Sequence, residues 1–208
     1  MMYNADFLIA AVVILLLVLR NFLDQKRAED LNSRVFLFFA VIGILDVIAE
    51  LVSNYYITSG DGDFGLAAVV TTTIFYLFQA LLPYALLCYI MTLHDNKLIS
   101  VKKMLLAGMT LHDNKLISVK KMLLAGIATI LLVSIVLTNP FTEKLFYFDI
   151  SAGYVEGPWY RLMYYSALFH LAVILILVIS WRKEFGPRKT KVILDILILC
   201  GCGVVIQR

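Results

Sequence analysis

Six apolar runs separated by short polar connections leave this chain few ways to fold. About 20 apolar residues rising 1.5 Å each cross a hydrocarbon layer of roughly 30 Å, and in that solvent a lone segment meets its backbone hydrogen bonds only as a helix. With 62% hydrophobic and 16% charged residues and a mean hydropathy of +0.89, a soluble domain is excluded. The sequence therefore reads as all-α: one polytopic transmembrane helix bundle over 1–208, with spans near 7–23, 35–52, 66–91, 122–138 and 161–181. A sixth run, 192–206, offers about 15 residues where roughly 20 are needed. The expectation is five complete spans plus a truncated sixth.

Basic residues set the direction of each crossing. The connections 24–34, 94–121 and 182–191 hold 14 of the 18 lysines and arginines, whereas 53–65 holds none and 139–160 holds only Lys144. The positive-inside rule then puts the three basic connections in the cytoplasm and the N-terminus outside. The first run lacks the basic n-region and small-residue cleavage site of a secretory signal, so it is read as a retained helix.

The central connection contains MTLHDNKLISVKKMLLAG twice, as 91–108 and 109–126, without a mismatch. If the fourth span began in the first copy, Asp113 and Lys115 would lie at mid-membrane, each at a cost of roughly 2.5 to 3.5 kcal/mol. The span is therefore expected to begin near Met122, with 94–121 left inside and 104–111 outside the bilayer core. Asp95 and Asn96 are suited to cap a short helix lying on the membrane surface, with Lys102 and Lys103 against anionic head groups. Expected partners are the bilayer and those head groups. Because the basic segments alternate with spans, they are read as topology signals, not as a nucleic-acid surface.

Few polar groups fall inside spans, and each is a candidate by cost alone. Asp46 and Glu50 share a face of the second run, with Glu50 nearer its outer end. Gln79 and Pro83 lie in the third, His170 in the fifth and Asp195 in the sixth. For these groups interhelical hydrogen bonding competes with an ion or sensing role. No helical spacing supplies His170 with further metal ligands, and Gly60 to Gly65 (GDGDFG) lacks the oxygens of a calcium loop, so no metal or other cofactor is expected. Cys88, Cys200 and Cys202 lie in apolar runs and read as small buried hydrophobes. No phosphate-binding loop, dinucleotide fingerprint or nucleophile elbow is present, and no enzyme activity is expected of this chain.

Several strings are similar to the membrane region that precedes GGDEF diguanylate cyclase domains in bacteria. They are LNSRVFLFF (31–39), FYLFQALLPYALLCYIM (75–91), LTNPFTEKLFYFD (137–149) and GYVEGPWYRLMYYSALFHL (153–171). The seven-helix sensor region of some histidine kinases is a more distant likeness. The resemblance implies a bacterial inner-membrane location, an outside N-terminus, seven helices and a cytoplasmic effector acting as a dimer. It marks Arg34, Asp46, Gln79, Pro83, Asn139, Pro140, Phe141, Asp149, Gly157 and Pro158 as pattern residues; Trp159 adds an interfacial aromatic. Asn139 and Pro140 are expected to end the fourth helix, and Gly157 and Pro158 to lead into the fifth. Two departures stand out: the inner segment is doubled, and the sequence stops before a seventh helix or a GGDEF motif. The expected function is thus a sensory or anchoring region whose output domain lies elsewhere. A small secondary transporter using Asp46 for a coupling ion, or a purely structural anchor, are the competing readings.

Overall fold

The computed structural model describes residues 5–24, 31–59, 65–94, 113–149 and 153–187, together with 190, 191, 193, 194, 197 and 198. In chain order the elements are α1 (Ala5–Asp24), α2 (Leu31–Ser59), α3 (Leu66–His94), α4 (Asp113–Thr142), β1 (Phe146–Asp149), β2 (Gly153–Glu156) and α5 (Arg161–Ser180). Four of the helices carry stretches long and apolar enough to cross a membrane: Ser33–Thr58, Leu66–Leu93, Leu123–Thr142 and Arg161–Ser180. This is a membrane protein.

A fifth complete span and a truncated sixth are not shown among the described residues. The apolar part of α1, Leu8–Leu23, covers about 24 Å at the helical rise, short of a hydrocarbon core of about 30 Å. Of the sixth run only 193, 194, 197 and 198 are described, and they are helical. The described residues are mostly helical, as expected; β1 and β2 add one antiparallel hairpin within the 139–160 connection.

α3 is the axis of the bundle, packing against α2, α4 and α5, while α1 packs chiefly on α2. Two apolar clusters hold the last three helices together. Tyr76, Ala80, Leu132, Val136, Leu145, Phe146 and Met163 pack at the hairpin end, and Leu86, Leu87, Ile90, Ala125, Ile174, Leu177 and Val178 at the far end. Phe185, Ile193 and Leu197 close the second cluster. Large apolar side chains also face outward, among them Ile14, Leu17, Ile130, Leu131, Ile176 and Ile179. In water such a surface would be a liability; against lipid it is the expected exterior.

Two helix limits differ from the sequence reading. α4 begins at Asp113, not Met122, so most of the second repeat copy is helical. A charged turn can extend a helix beyond the apolar span at no desolvation cost, provided that turn stands clear of the hydrocarbon; 30 residues reach about 45 Å. At its other end α4 runs past Pro140 to Thr142. There the Glu143 amide donates to the Asn139 carbonyl (2.8 Å), and Glu143 itself turns left-handed at φ 53° and stops the helix. The expectations for 104–111, and for the caps Asp95 and Asn96, fall outside the described residues.

Candidate functional site

The hairpin is held by one side chain from the end of α4. Asn139 is 1% exposed, and its amide works in both directions. Its Oδ1 accepts from the main-chain amides of Leu145 (2.6 Å) and Phe146 (3.4 Å), while its Nδ2 donates to the Phe146 carbonyl (2.9 Å). Leu145 and Phe146, almost fully buried, are thereby fixed at the start of β1. The hairpin register pairs Phe146 with Glu156 and Asp149 with Gly153, and Gly153 takes the positive φ of 76° that the connection requires. The return leg is tied back to the α4 end: Gly157 N–H donates to the Leu145 carbonyl and Trp159 N–H to that of Lys144, both at 2.8 Å.

Beneath the hairpin lies an aromatic block. The Tyr76 ring of α3 stacks on Phe146 (5.3 Å between centroids) and meets Tyr160 edge-on (6.1 Å). Hydroxyl pairs join Tyr76 to Tyr154 at 2.5 Å and Tyr160 to Tyr164 at 3.0 Å. Such ring pairs each add roughly 0.5 to 1.5 kcal/mol beyond their buried area. Together they dock β2 and the start of α5 onto α3.

Burial pushes the Tyr154 phenol up to about 12, and burial likewise raises Tyr160. An unfolded tyrosine ionises near 10. Between about pH 10 and 12 the unfolded chain therefore loses phenolic protons that the docked hairpin retains. Stability from these groups is complete below pH 10 and declines as pH rises toward 12. Tyrosinate absorbance of the folded protein should show a class of phenols titrating well above 10, and Tyr154→Phe should shrink that class. If all eleven tyrosines ionise together near 10, the block is not buried as described.

A cleft of about 160 Å3 opens beside the clamp, lined by Val69, Asn139, Pro140, Glu143, Phe146 and Phe148, among others. Pockets for drug-sized molecules run from about 300 Å3 upward, so this one is too small for such a ligand. The other predicted loop residues serve the surface. Phe141 is 90% exposed, Trp159 carries the Lys144 ammonium 4.1 Å from its ring centre, and Asp149 sits at the last pair of the hairpin.

No protein-family model, curated protein or solved structure matches the chain. Its chemistry must be argued from its own side chains.

The span residues form two separate polar layers. His170, fully buried on α5, lies between the two apolar clusters and joins α5 to α4. Its Nδ1 is 2.7 Å from the Ser166 carbonyl, which can only accept, so Nδ1 carries a hydrogen. Its Nε2 lies 2.9 Å from the Thr129 hydroxyl, which in turn stands 3.0 Å from the Ala125 carbonyl. Tyr84 and Phe169 meet the ring edge-on. This is an interhelical link, and among the described residues no trio of His, Cys, Asp or Glu is grouped to hold a metal.

Asp46 and Gln79 form the other layer, in the seam between α2 and α3. Asp46 Oδ1 and Gln79 Oε1 are both buried and neither has a hydrogen-bond partner. Glu50 is half-buried one turn along, where its main-chain carbonyl accepts from Asn54 Nδ2 at 2.7 Å. Further toward the hairpin the Ser53 and Thr72 hydroxyls pair across the seam at 2.7 Å.

Sequence reasoning singles out Asp46, Gln79, His170 and Asn139 but misses their partners. The tyrosine block, Thr129 and the Ser53–Thr72 pair carry no sequence signature of their own. The hairpin did carry one: FYFD and GYVE, β-branched or aromatic at most positions, flank a three-residue connection.

Proposed function

We propose that this chain is the membrane-embedded sensory and anchoring region of a bacterial signal-transduction protein, regulating a cytoplasmic diguanylate cyclase domain. The observation that supports this most is the continuity of α4. One 30-residue helix has its last turn clamped into the hairpin by Asn139 and its first turn in the doubled basic segment. A displacement of the hairpin is therefore carried along the helix to the opposite face, because a helix transmits movement as a rigid rod.

The charge distribution supports a hairpin on the outer face of the inner membrane and basic connections in the cytoplasm. Phe141, Leu66 and Trp159, all exposed at the hairpin end, suit the interfacial layer. The basic segments suit anionic head groups, and a dimeric effector would make the assembly a homodimer. The chain itself performs no catalysis in this reading, and needs no cofactor.

The coding sequence beyond codon 208 tests the reading directly. A further apolar run followed by a GGDEF motif is the expected result, and cyclic di-GMP output of that full-length protein should respond to Asn139→Ala. A stop codon, or six more spans with no effector, would sink it.

A further inference from the structure

α2 and α3 run antiparallel, and three contacts set their register. Near the far end the Phe36 and Tyr89 rings lie 5.4 Å apart. A Cβ on Gly43 would sit 3.8 Å from Leu82 Cδ1, and near the hairpin end Ser53 bonds to Thr72. Seven residues forward on α2, from Phe36 to Gly43, match seven back on α3, from Tyr89 to Leu82. Ten more forward, to Ser53, match ten back, to Thr72. The helices thus advance one for one, and within that bracket Asp46, three beyond Gly43, falls opposite Gln79, three before Leu82.

Two of the three buried side-chain atoms without partners among the described residues, Asp46 Oδ1 and Gln79 Oε1, are therefore at one level on facing helices; the third, Ser166 Oγ, is on α5. Pro83 adds to the deficit. It has no N–H to give to the main-chain carbonyl four residues back, and that carbonyl belongs to Gln79. One carboxylate oxygen and one amide oxygen share a level of the seam, and the Gln79 main-chain carbonyl has lost its usual helical donor. A buried acceptor with no donor costs roughly 1 to 3 kcal/mol, and an intramembrane carboxylate costs more. What the set lacks is positive charge.

We propose that Asp46 and Gln79 bind one monovalent cation between α2 and α3: a proton held on Asp46, or a sodium ion shared by their oxygens. A single carboxylate offers too little charge for a divalent ion, whose sites usually combine several carboxylates. Among the described residues no lysine or arginine lies near this level; of the helices that pack on α3, α5 carries His170, whose ring is 6.3 Å from that of Tyr84 and bonds to Ser166 and Thr129, and α4 holds no titratable residue from Gly126 to Asn139. On α2 the nearest titratable group is Glu50, itself acidic; on α3 it is Tyr76, whose hydroxyl pairs with Tyr154. α1 is the other element packed on α2, and from Phe7 to Leu19 it holds no titratable residue. This site is independent of the sensory reading, since binding is measured on the purified chain without any output domain.

The test uses the full chain in lipid nanodiscs, in sodium chloride or choline chloride, across pH 5 to 9. Infrared difference spectroscopy reports the protonated carboxyl, and thermal unfolding reports binding. If the cation is a proton, wild type shows a buried protonated-carboxyl band that titrates with pH, is indifferent to sodium, is lost in Asp46→Asn and moves in frequency in Gln79→Met. If it is sodium, replacing choline raises Tm by about 5 °C at saturation and bleaches the band, and both substitutions abolish that rise. Far-ultraviolet circular dichroism confirms that each variant is folded, and the two substitutions are read separately so that loss of one still leaves a test. A wild-type protein with neither a titrating band nor a sodium-dependent Tm overturns the proposal. So does an Asp46→Asn protein that keeps the wild-type response.

Discussion

Gly157→Ala unseats the hairpin while leaving the helices formed. A Cβ at this position would lie 2.3 Å from the carbonyl oxygen of Lys144, 2.5 Å from its carbon and 2.9 Å from the Glu143 oxygen. All three are main-chain atoms, so no rotamer change relieves the overlap. The only escape is to move the return leg away, which breaks the amide bonds from Gly157 to Leu145 and from Trp159 to Lys144. Overpacking costs about 1 to 3 kcal/mol and each lost bond about 1 kcal/mol, giving a total near 4 kcal/mol. Hydrogen exchange should show the Gly157 and Trp159 amides losing protection, with far-ultraviolet circular dichroism unchanged. Gly65→Ala is the control, because a Cβ there meets nothing within 4 Å. Equal protection in both variants would mean that the return leg does not pack on the α4 end.

The second large effect belongs to Asn139→Ala. Removing the amide strands the Leu145 N–H and deprives Phe146 of side-chain partners at both its N–H and carbonyl, in a place where Leu145 is 0% and Phe146 2% exposed. Stranded buried groups cost about 1 to 3 kcal/mol each, so a loss near 3 kcal/mol is expected, appearing as a lower unfolding midpoint and as release of the β1 amides to exchange. Thr142→Ala, three residues on, removes a hydroxyl that only bonds back to Thr138 on an exposed turn and should change stability by less than about 0.5 kcal/mol. A similar loss for both would place the stabilisation in the last turn of α4 and not in the clamp.

The helices were legible in the sequence because hydrocarbon leaves a chain little choice. Runs 35–52 and 66–91 lie within α2 and α3, and the helices extend beyond them because polar ends such as SNYYITS keep their backbone bonds at the interface. What the sequence conceals is contact across elements. Asn139 and Pro140 look like a helix stop, yet the asparagine earns its position through atoms six and seven residues away. Trp159, 41% exposed, suits the interfacial place expected of it, but nothing in the sequence separates it from Phe146, which is buried under the hairpin. Asp46 and Gln79 were each conspicuous as polar intruders. That they face one another follows only from the α2–α3 register, which no single-chain periodicity records.

The limits of α3 and α4 bear on the doubled segment in another way. α3 is described as far as His94, and α4 from Asp113, the aspartate that follows the second copy's His112. In a chain with one copy, the histidine closing α3 would be followed directly by the aspartate opening α4. Two antiparallel helices need about two to five residues to reverse direction, so neither could keep its full length. Either the last turn of α3 or the first turn of α4 would have to unwind to make the bend. The duplication leaves the letters of both helices unchanged and removes their competition for the same residues, so that copy number sets how many turns α3 and α4 can keep between them, far from the hairpin at the other end of α4.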